Sequence, residues 1–399
     1  MRVLPVASAI GLFGLASCGG GGTGSSSSGG NLIGSPGPNV QPIAVNPGPA
    51  NNYANGAFTS VTVCVPGTNN CQTIDSVLVD TGSVGLRLLS SILTVSLPSQ
   101  NDAGGAPILE CHQFLDSYQW GPVGVADVKI AGEQASSAPI QAIGTSAFGV
   151  PLSCTQSGLP ALDTVDGLGA NGVLGIGPFR QDCGIACTLS GAANPGLYYS
   201  CPSSGCVPTA VALNQQVQSP VWLFPLDNNG VIIQLPSIPA TGAPTVNGSL
   251  IFGIGTRSNN GLGTAVVLPL DDTGDFTTTF QGQSYSSSFI DSGTNGIYFL
   301  DSATTGLTIC SDASLFYCPA TTVALAATNR GTSGSSAPVN FTVANADALF
   351  NSPNVAFDNL GGPSAGSFEW GLPFFFGRTV YTAIELQSTP FGVGPYFAY

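Results

Sequence analysis

Two apolar segments that each run into an aspartate, a hydroxyl residue and a glycine constrain this chain more than any other feature. The first begins at Val77 and the second at Phe289. An apolar run that stops at a turn through glycine is typical of a buried β-strand. Each segment therefore predicts a strand that delivers a carboxylate to its tip. The two tips are Asp80-Thr81-Gly82-Ser83 and Asp291-Ser292-Gly293-Thr294.

The spacing of the two tips predicts a paired-carboxylate site. One tip lies in each half of a chain of 399 residues, which is long enough for two lobes with separate cores. Two carboxylates that face each other closely cannot both ionise, so they share one proton. Asp80 and Asp291 are therefore the candidate catalytic pair. The alternative, two structural turns, stays open at this point.

The composition favours an all-β fold with few, short helices. Hydrophobic residues make up 43% of the chain, charged residues 7%, and there are 54 glycines and 30 prolines. Such a mixture predicts short strands joined by tight turns; we expect helices only in pieces such as Thr321–Asn329 and Ala344–Phe350. The net charge of −14 argues against nucleic acid as a partner, because seven Lys and Arg cannot neutralise a row of phosphates.

The N-terminus predicts export. A short apolar stretch follows Arg2 and ends in Leu-Ala-Ser-Cys at Cys18, which resembles a lipobox. We expect a signal peptide over 1–17, a lipid on Cys18, and a flexible Gly/Ser/Pro tether over 18–52. Gly19 favours the outer membrane, so the predicted location is the bacterial envelope, attached by the lipid alone. The alternative is an ordinary cleaved signal peptide. The folded lobes are predicted over 53–235 and 236–399.

The remaining cysteines indicate an oxidising compartment. Eleven cysteines less Cys18 leave ten, an even number suited to five disulfides rather than to a metal site. Cys64 with Cys71, and Cys310 with Cys318, each bracket a turn of hairpin length. The other predicted bonds are pairs among Cys183, Cys187, Cys201 and Cys206, and Cys111 with Cys154. No metal or cofactor is predicted.

Three further patterns carry less weight. Asp272-Thr273-Gly274 is a third copy of the tip motif, but it lacks an apolar lead-in, so we expect an exposed turn remote from the pair. The segment 362–366 fits a nucleophile elbow, yet no strand precedes it. The single histidine, His112, is predicted to be a surface or strand residue without a catalytic role.

The two tip motifs, with the elements between them, resemble the pepsin-like aspartic proteases over about residues 53–399. The chain also looks like a family of uncharacterised bacterial lipoproteins. The resemblance to the proteases implies a bilobal fold in which Asp80 and Asp291 hold a water. Tyr118, Trp120 and Gly121 resemble the flap that closes over substrate. That hairpin is predicted to turn at 121–124 and to return through 125–130.

The resemblance implies a monomeric endopeptidase that cleaves extended polypeptide. Two departures bear on substrate closure: a short flap, and Glu369-Trp370-Gly371 where the family has two aliphatic residues before the glycine. They leave open a catalytically silent binding or scaffold module. Glycoside hydrolysis by two carboxylates is a third possibility, although these strand tips are not its signature.

Overall fold

The computed structural model describes residues 34, 36–114, 117–144, 147–155 and 158–399. The predicted signal peptide and Cys18 lie outside this part of the chain. Within it, no helix is both long and apolar enough to cross a membrane.

The fold is all-β. The strands in the first part of the chain are β1 Val40–Asn46, β2 Gly56–Cys64, β3 Cys71–Asp80, β4 Val84–Leu89, β5 Ile108–Gln113, β6 Tyr118–Ile130, β7 Glu133–Ile143, β8 Gly172–Ile176, β9 Tyr198–Ser200, β10 Val207–Pro208, β11 Gly230–Leu235 and β12 Val246–Phe252. Those in the second part are β13 Val267–Pro269, β14 Phe276–Phe280, β15 Gln283–Ile290, β16 Ile297–Leu300, β17 Val323–Arg330, β18 Ser336–Val343, β19 Gly361–Gly362, β20 Ser364–Trp370, β21 Arg378–Ala383, β22 Ser388–Thr389, β23 Gly392–Val393 and β24 Tyr396–Ala398.

The helices are short, as the composition predicts. The α-helices of the described chain are α1 Leu152–Thr155, α2 Val165–Leu168, α3 Ser302–Thr305 and α4 Ala346–Phe350. Single 3-10 turns lie at Gly184–Thr188, Gly191–Ala193, Leu213–Gln215, Val221–Leu223 and Leu372–Phe375.

Two sheets carry most of the strands. The larger has fifteen strands in the order β10-β9-β5-β6-β7-β4-β8-β3-β2-β1-β12-β11-β21-β24-β13, and the other has seven, in the order β18-β17-β14-β15-β20-β16-β19. The large sheet draws strands from both sides of the predicted lobe boundary at 235 and 236. The small β22–β23 hairpin stands apart.

The same local topology occurs around both candidate aspartates. In the large sheet, β3 runs parallel to β8, and β4 runs antiparallel to the other side of β8. In the seven-stranded sheet, β15 runs parallel to β20, and β16 runs antiparallel to the other side of β20. Asp80 ends β3, and Asp291 directly follows β15. The chain therefore builds two equivalent strand tips.

A glycine lets the strands around Asp80 approach each other. Asp80 is paired in register with Gly175 of β8. A Cβ at Gly175 would lie 2.7 Å from backbone atoms of Val84. Any side chain there would push β4 away from β8, which explains the glycine on an otherwise apolar strand.

Three sequence predictions about secondary structure were wrong. The tether over 18–52 contains β1, whose Val40, Ile43 and Val45 are buried against β12 and β2. The segment Thr321–Asn329 is not a helix, since most of it belongs to β17, paired with β14 and β18. The hairpin does not turn at 121–124, because β6 runs through these residues, and residues 118–122 of β6 already pair with β5.

Five disulfides join the ten cysteines of the described chain. Their pairs are Cys64–Cys71, Cys111–Cys154, Cys183–Cys187, Cys201–Cys206 and Cys310–Cys318. Each of these pairs agrees with the pairing set out from the sequence. The Cys64–Cys71 bond closes the β2–β3 hairpin at its register pair, so it fixes the strand that leads into Asp80.

Candidate functional site

The two carboxylates predicted to pair are brought together by one backbone amide. The N–H of Gly82 donates to Oδ1 of Asp80 at 2.8 Å and to Oδ1 of Asp291 at 3.0 Å. Both aspartates are buried, with 2% and 1% of their surface exposed. A single donor bridging two acceptor-only groups places their oxygens within reach of one shared proton.

Each aspartate has its own set of donors from the turn that follows it. The Ser83 hydroxyl donates to Oδ2 of Asp80, and the Ser83 amide donates to Oδ1. In the second turn the Gly293 amide donates to Oδ1 of Asp291 at 2.8 Å, and the Thr294 hydroxyl lies 2.7 Å from Oδ2. Hydroxyl and amide donors of this kind favour the ionised carboxylate.

The residue after each aspartate locks the two turns together. The Thr81 amide donates to Oγ of Ser292 at 3.1 Å, and the Ser292 amide donates to Oγ1 of Thr81 at 2.9 Å. Each hydroxyl then donates to the strand of the opposite half, Thr81 to Ile290 O and Ser292 to Val79 O. This reciprocal set of four hydrogen bonds holds the strand tips, and so the carboxylates, in register.

The environment of Asp291 favours its protonated form. Burial raises the pKa of Asp291 well above its ordinary value, the adjacent Asp80 raises it further, and a negative charge on Glu369 would do the same. The Thr294 hydroxyl opposes this rise. The raised pKa of Asp291 favours one proton on the pair, which the two facing carboxyls can share.

The turn after Asp80 and the end of the strand before Asp291 border a cleft of about 690 Å³, although neither aspartate is itself part of its lining. Its wall includes the first turn from Thr81 to Val84, and apolar side chains dominate the surface around it. The apolar lining residues include Phe179, Ile185, Leu213, Trp222, Phe289 and Phe397. Another cleft, of about 640 Å³ beside Arg378, is lined by no residue of either aspartate turn, so the first is the candidate active-site cleft.

The third copy of the motif differs from the other two, but not in every respect as predicted. Asp272 is exposed, as an open turn requires. However, Asp272, Thr273 and Gly274 line the same cleft as Thr81. The turn therefore borders the candidate cleft, a position that the sequence did not predict.

The residues predicted to form a flap do not line the described wall of this cleft. The Tyr118 amide donates to Pro160 O, and the Tyr118 carbonyl accepts from the Leu162 amide. Trp120 is buried, with Nε1 donating to Phe148 O. A Cβ at Gly121 would lie 1.9 Å from Ala142 O, so this glycine allows close packing of neighbouring strands.

His112 lies in the wall of the cleft, where sequence reasoning did not place it. It is buried on β5, and its Nδ1 lies 3.0 Å from a guanidinium nitrogen of Arg87. Burial and the charge of Arg87 lower the pKa of His112, so the ring is neutral. The only sequence signal was that a single histidine stands two residues from Glu110 on one strand.

His112 belongs to a buried cluster around Arg87. One guanidinium nitrogen contacts Glu110 at 2.7 Å and Asp182 at 2.9 Å. Burial opposes ionisation of Glu110, but the charge of Arg87 and the hydrogen bonds of Asp182 and His112 together outweigh it and lower the pKa of Glu110. Burial and the charge of Glu110 raise the pKa of Asp182 well above its ordinary value, since one cation cannot neutralise two carboxylates.

Two groups of side chains have metal-like spacing, but neither fits a metal. Glu110, His112 and Asp182 offer ligand atoms within 4.8 Å of one another. The Arg87 guanidinium contacts all three and occupies the position of a cation. The other group uses Cys310 and Cys318, whose sulfurs are joined in a disulfide and are not thiolates.

Glu369 is the second residue that sequence reasoning did not assign to the site. It is buried on β20, and the Thr294 hydroxyl hydrogen-bonds its Oε1. In the sequence, Glu369 was noted only as a departure from the two aliphatic residues that the resembled proteases have before this glycine.

Comparison with known proteins places the chain in a family without assigning an activity. No curated protein matches it. A family described as a protein of unknown function, DUF3443, matches over residues 35–399. That range includes both aspartate turns, and the chain belongs to the DUF3443 family.

Proposed function

We propose that this protein is a pepsin-like aspartic endopeptidase of the bacterial cell envelope. The observation that carries the proposal is the bridge from the Gly82 amide to both Asp80 and Asp291. Two buried carboxyls joined in this way, next to a cleft bordered by the turn after Asp80, are suited to activating one water. The equivalent topology of the strands around them supports the same interpretation.

The chemistry follows from the shared proton. The water attacks the peptide carbonyl carbon, and Asp80 takes a proton from the water in the same step. Asp291, whose pKa is raised by burial, gives the shared proton to the carbonyl oxygen. In the collapse of the tetrahedral intermediate the roles reverse, and the leaving amine receives a proton. The four bonds between Thr81 and Ser292 keep the two carboxyls at a fixed separation through both steps.

The cleft supports an extended polypeptide as substrate. Its lining is mainly apolar, with Phe179, Trp222 and Phe397 among the large side chains. Apolar residues on either side of the cleaved bond would bury surface against them, at about 25 cal/mol per Å². We therefore expect cleavage between apolar residues of unfolded or extended chains.

The envelope location is part of the proposal. Five disulfides fit a chain that folds in an oxidising compartment. The Leu-Ala-Ser-Cys sequence at Cys18 supports a lipid anchor to the outer membrane. Metabolic labelling with a fatty acid should mark the wild-type chain and not Cys18→Ser.

Acid-dependent cleavage of casein tests the activity. We expect cleavage with an acid optimum that a pepstatin-type inhibitor blocks. Asp80→Asn and Asp291→Asn should each abolish it, because the amide keeps the shape and loses the proton chemistry. Asp312→Asn, at an exposed loop position, is the matched control and should cleave normally. Peptidase activity that survives either dyad substitution would refute the proposal.

A catalytically silent binding module is the second candidate. It is favoured by the position of Tyr118, which hydrogen-bonds the 160–162 segment and is not part of the described cleft wall. A silent module would bind an unfolded polypeptide equally well with or without the Asp80→Asn substitution. It would show no cleavage at any pH, which separates it from the endopeptidase.

A further inference from the structure

A third buried carboxyl group stands directly behind the paired aspartates. Glu369 is 3% exposed on β20, where it is in register with Phe289 on one side and Tyr298 on the other. Its neighbours Phe368 and Trp370 are fully buried in the aromatic core. Because side chains alternate along a strand, Glu369 points to the opposite face, toward the turn after Asp291.

The Thr294 hydroxyl joins this third carboxyl to the pair. Its Oγ1 lies 2.7 Å from Oδ2 of Asp291 and also hydrogen-bonds Oε1 of Glu369. A hydroxyl has one proton to donate, and an ionised carboxylate can only accept. Thr294 can therefore donate to one of these carboxyl groups only, and the other must itself carry a proton and donate to the hydroxyl oxygen.

The proton assignment rests on the proposed function. If Asp80 and Asp291 share the working proton across the Gly82 amide, that proton does not lie between Asp291 and Thr294. Glu369 must then carry the proton that is donated to the Thr294 hydroxyl oxygen. We propose that Glu369 is a neutral carboxylic acid in the native protein, and that it positions the Thr294 hydroxyl to donate to Asp291.

The surroundings of Glu369 support this assignment. The titratable groups that face it are Asp291 through Thr294, Asp80 beyond Asp291, and Tyr298 on β16, whose hydroxyl lies 3.0 Å from Oδ1 of Asn295. A second negative charge beside an ionised pair, away from water, is unfavourable. Neutral Glu369 avoids that repulsion and satisfies the hydroxyl at the same time.

Ionisation of Glu369 would have a specific consequence for the pair. The Thr294 hydroxyl would turn to the new carboxylate, and Asp291 would lose a donor and gain a neighbouring charge. Glu369 is thus a positioning residue, since it acts on the reacting groups through Thr294. Glu369→Gln should mimic the neutral acid, because the amide donates a hydrogen bond and never ionises.

The first test measures folding and needs no activity. If native Glu369 keeps its proton, the unfolded chain releases it above about pH 4.3, the usual Glu pKa. The unfolding constant of the wild type should then rise relative to Glu369→Gln by about tenfold per pH unit above that value. Urea unfolding at several pH values between 4.5 and 7 measures this ratio. A ratio that does not change with pH would overturn the inference.

Asp102→Asn is the control of opposite sign. The Ser200 hydroxyl donates to Asp102 and lowers its pKa. The stability that Asp102 contributes is fully present above about pH 3.9 and is lost as the pH falls. The ratio of its unfolding constant to that of the wild type should therefore be flat between pH 4.5 and 7, where that of Glu369→Gln is steep.

A second measurement applies if Glu369→Gln fails to fold. Infrared spectra of protein with ¹³C in its glutamate carboxyl carbons should contain an isotope-shifted band of a protonated carboxyl at pH 7. A Glu133→Gln background removes the other glutamate whose pKa is raised. Absence of the band would overturn the inference without bearing on peptidase activity.

The third test uses the pH profile of casein cleavage. Glu369→Gln should keep the wild-type profile, because a neutral donor replaces a neutral donor. If Glu369 were ionised in the wild type, its removal would lower the pKa of Asp291 and shift the basic limb downward by about one pH unit or more. Such a shift would overturn the inference, whereas a wild-type protein without any cleavage would refute the proposed function instead.

Discussion

The reciprocal hydrogen bonds between the two aspartate turns give the sharpest prediction. Ser292→Ala removes a hydroxyl that accepts from the Thr81 amide at 3.1 Å and donates to Val79 O at 2.7 Å. The Thr81 amide is then buried without this acceptor. An orphaned buried donor costs about 1–3 kcal/mol, and the lost bond to Val79 adds about 1 kcal/mol. We expect Ser292→Ala to lower the free energy of unfolding by about 2–4 kcal/mol.

Thr68→Ala is the matched control for this change. The Thr68 hydroxyl also accepts from an amide and donates to a carbonyl, those of Asn70 and Val65, but it is exposed to water. Water replaces the lost partners, so the cost should be within about 0.5 kcal/mol. Urea unfolding at constant pH, with the m-value compared between variants, measures both.

A double-mutant cycle completes the experiment. Thr81→Val removes the other two bonds, and Thr81→Val/Ser292→Ala removes all four. The four bonds form one network, so the double variant should lose less stability than the sum of the two single variants. Additive losses, or a cost of Ser292→Ala no larger than that of Thr68→Ala, would refute the interpretation that these bonds hold the strand tips together.

Three other substitutions test the site. Gly293→Ala should abolish casein cleavage with native far-UV circular dichroism, because the added Cβ would lie 2.7 Å from Cγ of Asp80; full activity would contradict the geometry. The raised pKa of Asp291 contributes stability that is fully present below about pH 3.9 and lost as the pH rises through the native pKa. The free energy of unfolding of Asp291→Asn should therefore increase relative to that of the wild type from pH 4 to 7, as measured by urea unfolding. A difference that stays constant with pH would contradict this. Arg87→Met should cost about 3–5 kcal/mol by leaving a buried carboxylate without its cation, and Glu110→Gln in the same chain should restore part of the loss.

The strands that end at Asp80 and Asp291 were predictable because their signals are local. Each has an apolar lead-in and a turn through glycine within a few residues. The Cys64–Cys71 hairpin was predictable for the same reason. These features depend on neighbours in sequence, and the sequence displays them directly.

The errors arose where partners distant in the chain decide the structure. The alanines of Thr321–Asn329 favour a helix, but β17 pairs with strands on both sides, and its burial alternates along part of its length. The glycine at position 121 suggested a turn, yet it exists because Ala142 O passes close to it. Likewise β1 lies in a polar, proline-rich segment and is held by β12, about two hundred residues away.

The third Asp-Thr-Gly copy explains why the lead-in strand matters more than the motif. Asp272 follows a two-residue step after β13 and lies in a turn where Asp271 accepts from the backbone amides of Thr273 and Asp275. Its carboxylate is exposed, although the turn borders the same cleft as Thr81. An exposed carboxylate in a local turn stays in contact with water and is not packed against a second carboxyl group. Two buried strand tips that face each other remove both carboxyls from water and place them beside one shared amide donor. The apolar residues before Asp80 and Asp291 bury these two strands, so they determine that arrangement.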